Sequence, residues 1–395
     1  MLNQAVIFCG GFGKRLMPIT KKIPKPMVNV NGKPFLFHLI QQCKNNGIKK
    51  ILLLCGYKSD VIRKYFGSGK KMGITIQYHI NPPEIETYKR IYEARNFLEK
   101  KFLLLYSDNY CSLNLHDLFS NYKKFKSKLI ISVCKKRKGN IIVNKKNKKI
   151  SKYFFTKNKK ADFVDIGYMI VNKKNLIANY INTNVPFNFF INKLVNKKKA
   201  NYFFNDTGYL SISDLKRLKI TQIFFRSNYI LIDRDGVLNQ KNKNHFYVRN
   251  LKELKINYIF IKKLKNIIKN CELLCISNQA GIATGDLTYF NLEKINNKIK
   301  LELKKHKMNL KDFFISPHHY SSNHFYRKPN HGLFLKAAKK YNIILDRTFY
   351  IGDDNRDIEA SYNAKTKCLY IGNEKLSVNL RKKYKYTLIK KIKYD

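Results

Sequence analysis

Two strings in this 395-residue chain gather side chains fit for phosphate chemistry. The first is Gly10-Gly11-Phe12-Gly13-Lys14-Arg15, with Lys25 following in Pro24-Lys25-Pro26-Met27. Glycines let a backbone approach a phosphate chain with its N–H groups turned inward, and Arg15 and Lys25 supply the cations a triphosphate requires. Taken alone, a glycine-rich turn is often only a tight turn. The second string is Asp233-Arg234-Asp235-Gly236. In an extended segment residues two apart point to the same side, so Asp233 and Asp235 converge. Such a pair suits a nucleophile with a general acid/base, or a metal site; a calcium loop or a plain turn is the alternative.

Both strings must be held at strand ends. Residues 5–9, 50–55, 74–78 and 102–106 are apolar runs of strand length, and 35–46 is apolar on one side and closed by Gly47, as a helix with a C-cap glycine would be. The pattern restarts at 228–232, which opens directly onto Asp233. Further strands are expected at 273–276 and 348–351, with helices over 251–270, 289–306 and 332–341. Strands alternating with helices imply a mostly parallel sheet with helices on its faces. The spacing predicts two α/β domains, 1–224 and 225–395.

Residues 5–36 closely resemble the signature of the sugar-phosphate nucleotidyltransferase family, GGxGxRLxPxTxxxPKPMxxVxGKPxL, with every fixed position filled through Gly32-Lys33-Pro34. The resemblance implies a Rossmann-like three-layer domain in which Gly10, Gly11 and Gly13 cradle the nucleotide, Arg15 holds the leaving pyrophosphate and Lys25 contacts the phosphates. Asp108 and Asp206 match the places where this family puts two magnesium-binding carboxylates. A cation is needed there, because attack by one phosphate on another brings anions together. The sugar-phosphate grip appears only as Thr156-Lys157-Asn158, keeping Lys157, and Gly167 matches the sugar-contacting strand entry. The base-reading loop looks like Glu86-Thr87-Tyr88-Lys89-Arg90, with Tyr and Lys where small residues are usual, which leaves the nucleotide open.

The second half carries four strings in order: Asp233 to Asn239, Ser277-Asn278-Gln279-Ala280-Gly281-Ile282-Ala283, Arg327-Lys328-Pro329, and Gly352-Asp353-Asp354-Asn355-Arg356-Asp357. Together they resemble the haloacid dehalogenase superfamily, in the branch holding heptose bisphosphate and histidinol phosphatases. That resemblance implies a second Rossmann-like domain in which Asp233 attacks phosphorus and Asp235 is general acid/base. Ser277 and Lys328 would stabilise the phosphoryl oxygens, and Asn278 and Arg327 would face substrate. Magnesium would be held by Asp233, the Asp235 carbonyl and Asp353, with Asp354 or Asp357 nearby. Relatives often carry a cysteine zinc loop; here Ser316-Pro317-His318-His319 and His324-Phe325-Tyr326 retain no Cys, so zinc is not expected.

The expected function joins the two halves: removal of the 7-phosphate of a heptose 1,7-bisphosphate, then coupling of the heptose 1-phosphate to a nucleoside triphosphate, GTP first. The alternative keeps both reactions on another sugar or polyol phosphate with CTP, ATP or UTP. Composition sets the background. An apolar share of 44% with 13% aromatics excludes a disordered chain. Seventy-nine Lys and Arg against 26 Asp and Glu give +53, but Lys is spread from Lys14 to Lys393 among Asn and Ile. This reads as a solvated coat, not a nucleic-acid stripe; neither a nucleic-acid nor a membrane partner is expected, and a homo-oligomer is allowed. Eight cysteines in apolar runs fit a reducing compartment. With neither a leader pattern nor an apolar run near the ~18 residues of a membrane span, the expected location is cytoplasmic.

Overall fold

The computed structural model describes residues 2–242, 247–268, 271–372 and 386–388. The chain divides into two compact units, Met1–Gln222 and Ile223–Asp395.

The first unit is built on a nine-stranded sheet. Its strands are β1 (Gln4–Cys9), β2 (Lys50–Cys55), β3 (Thr75–Ile80), β4 (Lys101–Tyr106), β5 (Leu129–Lys135), β6 (Ile141–Asn144), β7 (Lys149–Tyr153), β8 (Phe163–Asn172) and β9 (Ala200–Phe204). Their order is β3-β2-β1-β4-β8-β5-β9-β7-β6. All six residues of β1 are buried, the pattern of a strand covered on both faces. It runs parallel to β2 and β4 with Ala5 opposite Ile51 and Leu103. The sheet is mixed and not mostly parallel as expected: β8 runs antiparallel to both β4 and β5. This reversal places the start of β8 at the same sheet edge as the ends of β1 and β4. Helix α1 (Phe35–Asn45) ends as predicted, with Gly47 at φ +86, a left-handed position that costs glycine nothing.

The second unit has a six-stranded parallel sheet: β10 (Tyr229–Ile232), β11 (Glu272–Asn278), β12 (Asn309–Ser316), β13 (Phe349–Gly352), β14 (Lys367–Tyr370) and β15 (Tyr386–Leu388), in the order β12-β11-β10-β13-β14-β15. Apolar clusters cover it on both faces, one around Ile232, Leu264 and Ile299, the other around Leu231, Phe334 and Tyr350. Strand order reverses at β10, and in open α/β sheets that is where ligands bind, outside the strands' carboxyl ends. The expected helix over 251–270 is shorter, Tyr258–Ile267, because Asn257 caps it by accepting the Phe260 N–H; residues 269 and 270 lie outside the described residues. Among the described residues no helix is long and apolar enough to cross a membrane.

Candidate active sites

A cleft of about 600 Å³ opens at the carboxyl ends of β1 and β4, lined by Gly10, Gly11, Gly13, Arg15, Lys25 and Asp108. The chain leaves β1 at Cys9 and turns through Gly13 at φ +67, where a Cβ would come within 2.9 Å of Lys25 Cβ. The glycine-rich turn thus lies directly against Lys25. The Lys25 Nζ donates to Asp108 Oδ2 at 2.5 Å, bringing a phosphate-type cation and a candidate metal ligand together. Arg15 is exposed on the turn Lys14–Leu16. Asp206 follows β9, is exposed and does not line the cleft. The segment after it does return: Leu210 and Ser211 pair antiparallel with Tyr110 and Asn109, and the Ile212 N–H donates to the Asp108 carbonyl at 2.9 Å.

Gly167 sits midway along β8, at a shift in its register with β5, with φ +77, so close to Tyr106 that a Cβ would come within 2.5 Å of its ring. Its N–H donates to Asp165 Oδ1 at 2.7 Å, and Tyr153 OH donates to Oδ2 at 3.1 Å. Burial lifts the Asp165 carboxyl to about 6, against the pull of these two donors. Lys157 is exposed and outside the cleft lining. The expected base-reading loop begins a helix, α2 (Thr87–Glu93). Tyr88 points into the core against Phe187 and Phe190, so it is no wall residue; Pro83 to Thr87 and Arg90 line the cleft instead.

In the second unit Asp233 follows β10 and Lys328 reaches it from the segment after β12. Lys328 is 4% exposed and its Nζ donates to Asp233 Oδ1 at 2.8 Å, Asp357 Oδ1 at 2.8 Å and the Tyr350 hydroxyl at 2.9 Å. Burial alone would lower its pKa, but the two carboxylates outweigh burial and hold it above the ordinary lysine value. Burial pushes Asp233 up to about 8, with Lys328 opposing. Asp235 goes the other way: Arg234, Asn239 and Gln279 donate to its two oxygens and outweigh burial, so it lies below the usual carboxylate range. Gln279 also donates to Ser277 Oγ at 2.8 Å, tying that hydroxyl to the same network.

Candidate metal ligands are sorted by what already occupies them. Single oxygens of Asp233, Asp353 and Asp357 lie within 4.8 Å of one another. Asp357, however, accepts from Lys328 and Tyr350 on Oδ1 and from the Asp353 and Asp354 N–H groups on Oδ2, which uses its acceptor capacity. Asp353 pairs with Lys241 through Oδ2 at 2.6 Å, but its Oδ1 is buried without a hydrogen-bond partner, an acceptor that a cation would satisfy. Asp233 and Asp353 therefore fit a magnesium ion. One expected ligand differs: the Asp354 carboxylate caps helix α3 (Asn355–Ala364) and pairs with Arg356. The Asp235 carboxylate is held by Arg234 and Gln279, while the ligand atom expected of this residue is its main-chain carbonyl.

Expected substrate contacts are likewise engaged. Asn278 accepts from the Lys328 N–H at 3.0 Å and donates to its carbonyl at 3.1 Å, so it positions Lys328 instead of facing substrate. Arg327 is buried and donates to the His318 carbonyl at 3.0 Å. The rings of His318 and His324 stack at 3.3 Å, Ser316 Oγ is buried nearby in sequence, and among the described residues no trio of ligand atoms gathers on this loop.

Residues 4–185 match the family model described as nucleotidyl transferase, and residues 228–386 match that described as polynucleotide kinase 3 phosphatase. The chain is thus a fusion of a nucleotidyltransferase domain with a haloacid dehalogenase-like phosphatase domain. Within the first domain it is 39% identical over 121 residues to D-glycero-alpha-D-manno-heptose 1-phosphate guanylyltransferase of Campylobacter jejuni, covering 31% of this chain and 54% of that protein. The enzyme of the same name from Aneurinibacillus thermoaerophilus is 32% identical over 131 residues, covering 33% and 56%. The chain spans about half the length of these curated relatives. A solved structure of a putative glucose-1-phosphate thymidylyltransferase from Bacillus anthracis shares the fold, with a TM-score of 0.52 at 18% identity over 56% of this chain and 95% of that one.

Proposed function

We propose that the chain is a bifunctional enzyme of nucleotide-activated heptose formation. The phosphatase half removes the 7-phosphate of D-glycero-D-manno-heptose 1,7-bisphosphate, and the nucleotidyltransferase half joins the resulting 1-phosphate to GTP with release of pyrophosphate. One observation carries the reading: a phosphatase domain is fused to a nucleotidyltransferase domain whose relatives are named for heptose 1-phosphate. The product of the first reaction is then the substrate of the second.

In the phosphatase half, Asp233 Oδ1 accepts from the Arg234 N–H at 2.7 Å and from Lys328 at 2.8 Å, leaving Oδ2 to attack phosphorus. The new bond is Asp233 oxygen to phosphorus, and the bond that breaks is phosphorus to sugar oxygen. Lys328 also neutralises charge on the transferring group. Asp235, held ionised by Arg234 and Gln279 in the free site, takes up the proton that the phosphomonoester brings in, whose second ionisation lies at about 6, and passes it to the leaving sugar oxygen; ionised again, it accepts the proton of the water that attacks phosphorus and breaks its bond to Asp233. Magnesium between Asp233 and Asp353 would neutralise the phosphate charge. In the other half, Gly10, Gly11 and Gly13 cradle the triphosphate, Arg15 and Lys25 meet its charge, and the sugar phosphate oxygen is the nucleophile. Asp108 is the proposed magnesium ligand in the cleft and Gly167 stands on the sugar side; the second ligand, Asp206, and the sugar-phosphate contact, Lys157, lie outside the cleft lining and would have to reach the bound substrates from there.

The test is to incubate the protein with magnesium, heptose 1-phosphate and each nucleoside triphosphate while following pyrophosphate. Release with GTP is expected; release only with CTP, ATP or UTP rejects the guanine reading. Asp233→Asn should abolish phosphate release from the bisphosphate and leave pyrophosphate release intact, and loss of both would refute separate sites.

A further inference from the structure

Arg90 lies on α2, on the inner side of the nucleotide cleft, and is 2% exposed. Its guanidinium is wired entirely to backbone. Nη1 donates to the Cys55 carbonyl and, at 3.4 Å, to that of Asn81; Nη2 donates to the carbonyls of Pro82 and Ile85 at 2.9 and 2.8 Å. One residue thereby ties the end of β2 to the 81–85 segment, whose Pro83 to Ile85 line the cleft together with the glycine-rich turn. The same group packs flat beneath that turn. A Cβ on Gly10 would come within 2.5 Å of Arg90 Cζ and 2.8 Å of Nε, and a Cβ on Gly56 within 3.0 Å of Nη1.

Its charge is the second observation. Among the described residues no carboxylate lies within ion-pair distance of Arg90, and Glu93 and Glu86 act on it only from farther off, whereas Lys25 in the same cleft pairs directly with Asp108. Four carbonyl dipoles solvate the guanidinium but do not neutralise it, and a buried charge without a counter-ion is costly. A polyanion in the cleft would supply the missing negative charge. Guanidinium geometry also matters, since a lysine in its place could offer one ammonium but could not span two pairs of carbonyls in a fixed plane.

We infer that Arg90 is the positioning and specificity-determining residue of the nucleotide half: it fixes the distance between the Pro82–Glu86 wall and the Gly10 turn, and its unpaired charge is completed by the nucleoside triphosphate. This deepens the nucleotidyltransferase reading and rests on it. The two functions of the side chain separate by substitution. Arg90→Lys keeps the charge and loses the planar tie between wall and turn. Arg90→Met keeps most of the volume and loses both.

The experiment measures binding of GTP, CTP, ATP and UTP to the full chain by displacement of a fluorescent nucleotide, beside circular dichroism to check folding. For Arg90→Lys, the preference of the wild type for its best nucleotide over the next should shrink at least fivefold, with affinity for the best one falling less than that. For Arg90→Met, affinity for all four should fall tenfold or more. If Arg90→Met does not fold, Arg90→Lys decides. A folded Arg90→Lys chain with wild-type preference overturns the inference, as does a uniform loss that tracks the folded fraction. Failure of the parent reading looks different, because the wild type itself then binds none of the four nucleotides.

Discussion

Replacing Lys328 by Met removes the buried cation that bridges Asp233 and Asp357 and leaves those two carboxylates facing each other. At an effective dielectric of about 20, each of its two 2.8 Å pairs is attractive by roughly 6 kcal/mol when the carboxylate is ionised, and the Asp233 pair weakens below about pH 8, where that carboxyl takes up a proton. Desolvation of a side chain only 4% exposed cancels much of that, and deleting one partner of a buried pair costs about 3–5 kcal/mol. The expected loss for the second unit is in that range. It carries a pH signature. Asp233 stands at about 8 in the folded protein, and without Lys328 it rises further. The folded state then holds a proton that the unfolded state has released, so stability falls as pH rises. Up to about pH 8 both proteins lose stability at the same rate on account of Asp233; above it the variant continues to lose about 1.4 kcal/mol per pH unit while the wild type levels off. Urea titration followed by hydrogen exchange at the amides of β13 reports this unit separately. A deficit under about 1 kcal/mol, or one that is equal at pH 6.5 and 9.5, would refute the cluster described above. Adding Asp357→Asn to Lys328→Met should recover part of the loss, because the neutral amide keeps contact with Tyr350 while removing one uncompensated charge.

Two further outcomes follow from the same geometry. Asp165 stands at about 6 when folded, so it contributes stability at low pH that is lost as pH rises from about 4 through 6; Asp165→Asn should flatten that slope, removing a change of up to about 3 kcal/mol in urea titrations at pH 4 and 7. Asp353→Asn should raise the magnesium concentration for half-maximal phosphate release tenfold or more and leave the magnesium dependence of pyrophosphate release unchanged; equal shifts in both would mean that Asp353 is not a local ligand.

Much of this was legible in the residues. Apolar runs marked β1, β2 and β4 within a residue of their ends, because strands buried on both faces must be continuously apolar. Gly47 closed α1 where its left-handed angle required a glycine. The first and second strings stand at the ends of β1 and β10, and Lys328 meets Asp233. What stayed hidden depends on distant neighbours. The division of labour between Asp354 and Asp357 turns on which oxygen the α3 cap, Lys328 and Tyr350 consume, and no spacing rule gives that. The reversed direction of β8 is set by partners 28 or more residues away in sequence. Arg90 gave one signal, a charged residue between the apolar Tyr88 and Ile91 on a short helix, but its four carbonyl acceptors come from outside that helix.

The reversed strand has a consequence for how such an enzyme can change its diet. Because β8 enters the sheet edge where β1 and β4 leave it, the residues proposed for the sugar side, Lys157 and Gly167, are written after Asn109, whereas the glycine turn, Lys25, Arg90 and Asp108 are all written before it. The two reading heads share an edge but no sequence. Exchange of residues 109–214 between relatives would graft a new acceptor onto an unaltered donor half, and the joint would fall in the two-residue pairing of Asn109 and Tyr110 with Leu210 and Ser211. Recombination, more than point substitution, is the route this architecture leaves open to a new nucleotide-sugar.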